Sequence, residues 1–149
     1  MKYIFPFIAT LVCLQSCVST LPGPIKTKHI TTEGAGFVLE GSPRRAQYSV
    51  SYTFRDLTPG EYTAVVLFDN PAAPSSPFQV SKSFRYPVQR ILVESPALTR
   101  IKSYGNYTVR MNLHQGRSSG PLIDRHSQRV NFGLSAEMGR KFGVATQID

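Results

Sequence analysis

Asp124 and His126 are the one place in the chain where a carboxylate and an imidazole stand close together in sequence. Residues i and i+2 of a β-strand lie on the same face, so these side chains could form a carboxylate–imidazole pair. With a hydroxyl nucleophile such a pair supports hydrolysis, and Ser118, Ser119 and Ser127 are near. No serine has a nucleophile-elbow context, in which a strand turns sharply into a helix. The sequence therefore favours a surface ion pair beside a loop, and a periplasmic or secreted hydrolase is the alternative.

The three histidines, His29, His114 and His126, are also candidate metal ligands. None has ligand spacing, such as two histidines at i and i+4 followed by an acid. We therefore predict a protein that is not an enzyme and that holds no metal and no cofactor.

The N-terminal segment is apolar and ends at a cysteine. Lys2 supplies a positive charge, and the apolar run Tyr3–Leu14 follows it. A membrane-spanning helix needs about 20 apolar residues, whereas a secretory signal needs about 7–15. Residues 1–16 are therefore predicted to be a signal peptide. Cys13 and Cys17 are the two cysteines of the chain, so cleavage before Cys17 leaves a single thiol and no intramolecular disulfide.

The residues Leu14-Gln15-Ser16-Cys17 resemble the lipobox of bacterial lipoprotein precursors. That resemblance implies that Cys17 receives a diacylglycerol, that cleavage makes Cys17 the first residue, and that an acyl chain such as palmitate follows. Val18 stands where an inner-membrane retention signal has Asp, so the resemblance implies the outer membrane, at its periplasmic face. Residues 17–24, rich in Ser, Thr, Gly and Pro, would then be a lipidated tether. The alternative is an ordinary signal cleaved near Ser16 or Ser19, which gives a soluble periplasmic or secreted protein.

The formal charge is +8, and the basic residues are spread along the chain in runs of at most two. A diffuse excess of this kind is typical of a solvated surface that lies near anionic partners. We therefore expect the membrane, through the lipid anchor, and an envelope protein or anionic polymer as partners. Nucleic acid is not expected, because no recognition motif is present.

From residue 25 onward the chain has the pattern of short strands separated by Gly and Pro turns. The clearest is Gln47–Phe54, where Tyr and Val alternate with Ser and Thr. Glu61–Phe68 is apolar on both faces, which is typical of a central strand. Further predicted strands are Ile25–Thr32, Phe37–Glu40, Val80–Tyr86, Val88–Glu94, Gly105–Leu113 and Arg129–Ser135. The residues after Ala136 are compatible with a short helix or a frayed end.

The segment Leu57–Thr63 resembles the turn-plus-tyrosine entry to a strand in fibronectin-III and other immunoglobulin-like domains. Gly105-Asn106-Tyr107-Thr108 echoes Gly60-Glu61-Tyr62-Thr63 at a separation of 45 residues. The pattern predicts an all-β fold over residues 25–149: an immunoglobulin-like antiparallel β-sandwich of seven or eight strands, with a small β-barrel as the alternative.

These observations predict a lipid-anchored protein of a bacterial cell envelope whose sandwich acts as a binding or scaffolding module without catalysis. Pro71–Phe78 and Gly116–Asp124, the loops after the two echoing strands, are the predicted binding loops. Two alternatives stay open: a hydrolase that uses Asp124 and His126, and a basic domain that binds an anionic envelope polymer or lipid phosphates.

Overall fold

The computed structural model describes residues 25–41 and 44–141. Within them lie seven strands and one short helix: β1 Ile30–Gly41, β2 Arg44–Phe54, β3 Gly60–Phe68, β4 Phe78–Tyr86, β5 Ile91–Glu94, β6 Asn106–Gln115, β7 Leu122–Asn131 and α1 Ala136–Lys141. The signal peptide, Cys17 and the tether of the sequence analysis lie outside the described residues, as does the tail 142–149.

The strands form two antiparallel sheets, one of three strands in the order β1-β2-β5 and one of four in the order β4-β3-β6-β7. The predicted sandwich is therefore confirmed, and the barrel alternative is wrong because the two sheets do not close on each other. In constant-type immunoglobulin domains the fourth strand joins the sheet of the first two. Here β4 pairs along its whole length with β3 in the other sheet.

The core lies between the inner faces of the two sheets, as the alternating patterns require. The predicted apolar face of β2 is buried at Tyr48, Val50, Tyr52 and Phe54. Phe68 at the end of β3 stacks on Tyr48 across the interface, with ring centroids 5.4 Å apart and the ring planes 15° from parallel. The two sheets are therefore joined in part by a stacked aromatic pair.

One predicted boundary was wrong at the start of the domain. The two short pieces predicted at Ile25–Thr32 and Phe37–Glu40 are one strand, β1, that begins at Ile30 and is paired with β2 to its end. The glycines between the pieces do not end it, because a bulge between Thr32 and Gly34 absorbs the extra residue. Residues 25–29 instead form an arm folded back on β1 through a bridge between Lys26 and Thr31.

In both echoing segments the tyrosine hydroxyl is hydrogen-bonded to the backbone upstream. Tyr62 Oη donates to the carbonyl of Thr58 at 2.8 Å, and the backbone N–H of Lys102 donates to Tyr107 Oη at 2.8 Å. The glycine before the second tyrosine is required sterically, because a Cβ on Gly105 would lie 2.8 Å from Tyr107 Oη and 3.0 Å from the carbonyl oxygen of Lys102. The echo thus reflects shared corner geometry at the entry to β3 and β6.

Removal of the Tyr62 hydroxyl and removal of the Tyr48 hydroxyl are expected to affect the free energy of unfolding differently. Tyr62→Phe should lower the free energy of unfolding by about 1 kcal/mol, because it removes the hydrogen bond to Thr58. Tyr48→Phe should leave stability unchanged or raise it by up to about 1 kcal/mol, because the Tyr48 hydroxyl is buried without a partner among the described residues. Urea unfolding of the two variants at pH 7.5 measures both. A larger loss in Tyr48→Phe than in Tyr62→Phe would contradict this account.

Candidate functional site

Asp124 and His126 both lie on β7, but the structure does not join them by a hydrogen bond. The Asp124 carboxylate serves the arm before β1: it accepts from Thr27 Oγ1 at 2.7 Å and from the backbone N–H of His29 at 2.8 Å. Its other oxygen accepts from the N–H of Arg125 at 2.8 Å. Partial burial opposes ionisation, but these hydrogen bonds outweigh it and lower the pKa of Asp124. Asp124 therefore fastens the arm to β7 as a carboxylate.

His126 points into the core and is 3% exposed. Its Nε2 lies 2.6 Å from Oγ1 of Thr32, a residue 94 positions earlier on β1. Thr32 donates its single hydroxyl proton to Oε1 of Gln128. The Thr32 hydroxyl therefore links the imidazole of His126 to the amide of Gln128 inside the core.

The buried polar cluster of Thr32, Tyr52, His126 and Gln128 fills the core where β1 meets β7. Three of its atoms, Tyr52 Oη, His126 Nδ1 and Gln128 Nε2, are buried without a hydrogen-bond partner among the described residues. Burial lowers the pKa of His126, although Gln128 and the Asp124 carboxylate act in the opposite direction. The cluster therefore holds His126 in its neutral form.

This geometry does not resemble a Ser-His-Asp site. In such a site the carboxylate orients Nδ1–H, and Nε2 takes the proton of the nucleophile. Here Nε2 is hydrogen-bonded to Thr32 inside the core, and Nδ1 has no carboxylate or other partner within residues 25–41 and 44–141.

The serines near Asp124 in sequence do not complete such a site either. Gly116–Gly120 has the literal Gly-x-Ser-x-Gly spacing, but this segment joins the antiparallel strands β6 and β7 instead of leading from a strand into a helix. Ser127 is exposed on β7, on the opposite face from His126. The hydroxyl that reaches His126 belongs to Thr32, which sequence proximity could not have indicated.

The two predicted binding loops lie at opposite ends of the sandwich. β3 and β6 are antiparallel, with Phe68 beside Val109 and Tyr62 beside Gln115, so the loops after them leave in opposite directions. The loop Pro71–Phe78 lies at the end where the β3–β4 and β5–β6 connections meet, which we call the connection end. The loop Gly116–Asp124 lies at the other end, so the two cannot form one site.

A groove of about 260 Å³ opens at the connection end. The connection groove is lined by these residues: Asp69, Asn70, Pro71, Pro74, Arg100, Lys102, Asn106 and Tyr107. Prolines and a tyrosine ring give it rigid apolar walls, and two cations, two amides and the Asp69 carboxylate are its polar groups. Oδ1 of the Asn106 side chain accepts from Asn131 Nδ2 at 3.0 Å, which leaves the two side-chain amide protons of Asn106 for another acceptor.

Arg100 is held in an uncommon backbone conformation. Its φ of 57° lies in the left-handed region, which costs a residue other than glycine about 1–2 kcal/mol. The neighbours hold it there, because Leu98 and Ile101 are buried on either side. The N–H of Leu98 also donates to the carbonyl of Ala46 at 2.8 Å. The Arg100 guanidinium makes no hydrogen bond or salt bridge with any part of the chain that the structure describes.

The floor of the groove is fixed by Asp69, the residue after β3. Its carboxylate accepts from the N–H of Thr108 at 2.8 Å and from Arg110 Nη2 at 3.2 Å. This charge is therefore committed to β6 and already paired with Arg110. The Asp69 carboxylate stabilises the base of the groove and leaves the positive charge of Arg100 unmatched.

Other basic side chains lie on the outer face of the four-stranded sheet. Arg85 pairs with Glu61 at 3.1 Å, whereas Arg125 and Arg129 form no salt bridge within the described ranges. The pairing along β6 and β7 places Arg110 opposite Ser127 and therefore between those two arginines. These charges are spread over a flat face, as the diffuse charge pattern predicted.

Cys17, the predicted lipid attachment residue, lies before the first described residue, so its role stays a prediction. Among the described residues, no helix has the length and apolar character needed to cross a membrane. In the same ranges, no group of three or more His, Cys, Asp or Glu side chains is arranged to hold a metal ion.

No protein-family model and no curated protein matches the chain. Among solved structures it is similar to the crystal structure described as a "putative beta-galactosidase" from Bacteroides fragilis, with 18% identity and a TM-score of 0.40. The match covers 68% of this chain and 15% of that one, so the chain spans a small part of the protein it resembles. A likeness at this level says nothing about what the chain does.

Proposed function

We propose that this chain is a lipid-anchored protein of a bacterial cell envelope whose β-sandwich binds a partner and performs no chemistry. Cys17 would carry the lipid, residues 1–16 would be removed, and the protein would reside at the periplasmic face of the outer membrane. The lipobox-like residues Leu14–Cys17 support the anchor. Buried lipid contributes about 0.8 kcal/mol per CH₂, so two or three chains on one cysteine hold a domain without a spanning helix.

The connection groove carries the binding part of this proposal. It combines apolar walls with an Arg100 side chain that the described residues leave unpaired, which is the composition of a small binding site. The absence of catalysis is supported by His126, whose ring is committed to Thr32 inside the core. The loop Gly116–Asp124 lies at the other end and is not part of the proposed site.

The anchor is tested by the mass of the mature N-terminus after expression in a Gram-negative host. We expect diacylglycerol and one further acyl chain on Cys17, and recovery of the protein in the membrane fraction. Cys17→Ser should abolish the lipid mass, because the other cysteine of the chain, Cys13, lies within the predicted signal peptide.

Cys13→Ser is the matched control, because it removes the other thiol from within the predicted signal. It should leave the lipid mass on Cys17 and the membrane recovery unchanged. An unlipidated wild-type N-terminus near Ser19 would overturn the anchor and make this a soluble exported protein.

A further inference from the structure

We propose that the connection groove binds the carboxylate-bearing ring of an acidic saccharide, with Arg100 as the principal contact to the carboxylate. This inference deepens the proposed binding function and rests on it. Arg100 presents a planar fork of N–H donors that matches a carboxylate with two parallel hydrogen bonds. Asn106 adds amide donors, and Pro71, Pro74 and Tyr107 supply apolar walls against which a sugar ring can pack.

The backbone around Arg100 is held in one conformation, which would orient the guanidinium before a ligand binds. A residue other than glycine stays at a φ of 57° because the surrounding structure holds it, here through the buried neighbours Leu98 and Ile101. The loop continues into Lys102, whose backbone is fixed by Tyr107 Oη at 2.8 Å. Strained backbone of this kind is found at ligand-binding sites, where it orients a side chain before the ligand arrives.

The shape of the groove favours a saccharide over the other anionic partners. An acidic peptide binds best along an exposed strand edge, where its backbone can pair, but this groove lies between two connections at the end of the sandwich. A membrane surface is flat and suits a flat basic face, whereas this groove is concave. Its volume of about 260 Å³ is slightly below the usual range of ligand pockets, so it suits one terminal ring.

The test is a calorimetric titration of the full chain, purified as the host processes it, with a trisaccharide of galacturonic acid. The neutral galactose trisaccharide, a polyglutamate peptide and phosphatidylglycerol vesicles are the comparison ligands. We expect saturable binding of the acidic trisaccharide that weakens as salt rises, and no binding of the neutral one. Tighter binding of polyglutamate would overturn the saccharide assignment. The lipid on Cys17 binds vesicles by itself, so vesicle binding overturns the assignment only if Arg100→Asn weakens it.

Arg100→Asn isolates the charge, because asparagine tolerates a positive φ and keeps the loop conformation. It should weaken binding by about tenfold to a hundredfold, the usual effect of losing a hydrogen bond to a charged group. Its Tm should stay within about 3 °C of the wild type. Arg117→Asn removes the same charge from the exposed loop at the other end and should leave the affinity unchanged. Equal weakening in both variants would show that net charge alone attracts the ligand, and would overturn the site.

The titration tests the saccharide inference and the lipid mass tests the anchor, so either can be overturned without the other. No binding by a chain that carries lipid on Cys17 would overturn the saccharide inference and leave the anchor standing. Binding by a chain without lipid would overturn the anchor and leave the groove assignment standing.

Discussion

Phe68→Ala is expected to lower the free energy of unfolding by about 3–5 kcal/mol, the range for removal of a buried phenylalanine. Phe68 is 0% exposed, and its ring stacks on Tyr48 of the opposite sheet. Its backbone pairs with Phe78 on β4 and with Val109 on β6, so Phe68 is the last residue of a strand that has neighbours on both sides in the four-stranded sheet. Domains of this size are stable by about 5–15 kcal/mol in total. The variant should therefore be only marginally folded.

Urea unfolding at pH 7.5 measures this loss, with Leu92→Ala as the control. Leu92 is a large apolar residue of the other sheet, but it is 53% exposed on the outer face of β5. Its truncation should cost less than about 0.5 kcal/mol. A loss in Phe68→Ala no larger than in Leu92→Ala would mean that the two sheets do not pack through this ring. If Phe68→Ala is too unstable to purify, Phe68→Leu should give an intermediate loss.

Acidification from pH 7.5 to 5 is expected to destabilise the fold through His126. The imidazole has a pKa near 6.5 when unfolded and a lowered one in the core, because burial disfavours the charged form. Below about pH 6.5 the unfolded chain therefore binds a proton that the folded chain does not, and stability falls as pH falls. The slope approaches one proton, about 1.4 kcal/mol per pH unit, until the pH reaches the lowered pKa of the folded state.

The measurement is urea unfolding at half-unit pH steps for the wild type and two variants. His126→Gln should lose the part of the slope between pH 6.5 and 5, because its amide does not titrate. Tyr52→Phe, whose ring meets the His126 ring edge-on at 5.9 Å, leaves the imidazole in place and should keep that slope. The same slope in His126→Gln and in the wild type would show that other groups carry the acid sensitivity. Asp124 does not contribute to this slope. Its pKa is lowered in the folded protein, so the stability that its carboxylate confers is lost only at more acidic pH.

The sequence pattern did not predict the first seven of the ten residues of β7. The sequence predicted a last strand at Arg129–Ser135, whereas β7 runs from Leu122 to Asn131. Period-two alternation is recognised by apolar residues on the inner face, but the inner positions of this strand include His126 and Gln128, which are buried and polar. A buried polar residue is stable when a distant residue such as Thr32 bonds it, and local sequence does not contain that partner.

The sequence likewise indicated some residues of the candidate site and not others. Sequence motifs singled out Cys17 through its position after an apolar segment, and Tyr62 and Tyr107 through their turns. Arg100 carried no signal, because its importance comes from a positive φ and from two buried neighbours. The two binding loops were predicted together because they follow similar strands, but antiparallel pairing of β3 and β6 sends them to opposite ends.

What the sequence determined by itself is local: strand segments, turn chemistry and the apolar faces of β2 and β3. These follow from period-two alternation and from the backbone preferences of Gly and Pro, which act between neighbours in the chain. The signal peptide and the lipid attachment at Cys17 stay predictions. The tertiary structure alone decided which sheet β4 joins, which hydroxyl reaches His126, and which connections meet to form the groove. These depend on contacts between residues tens of positions apart, and they are set by how the two sheets bury their faces against each other.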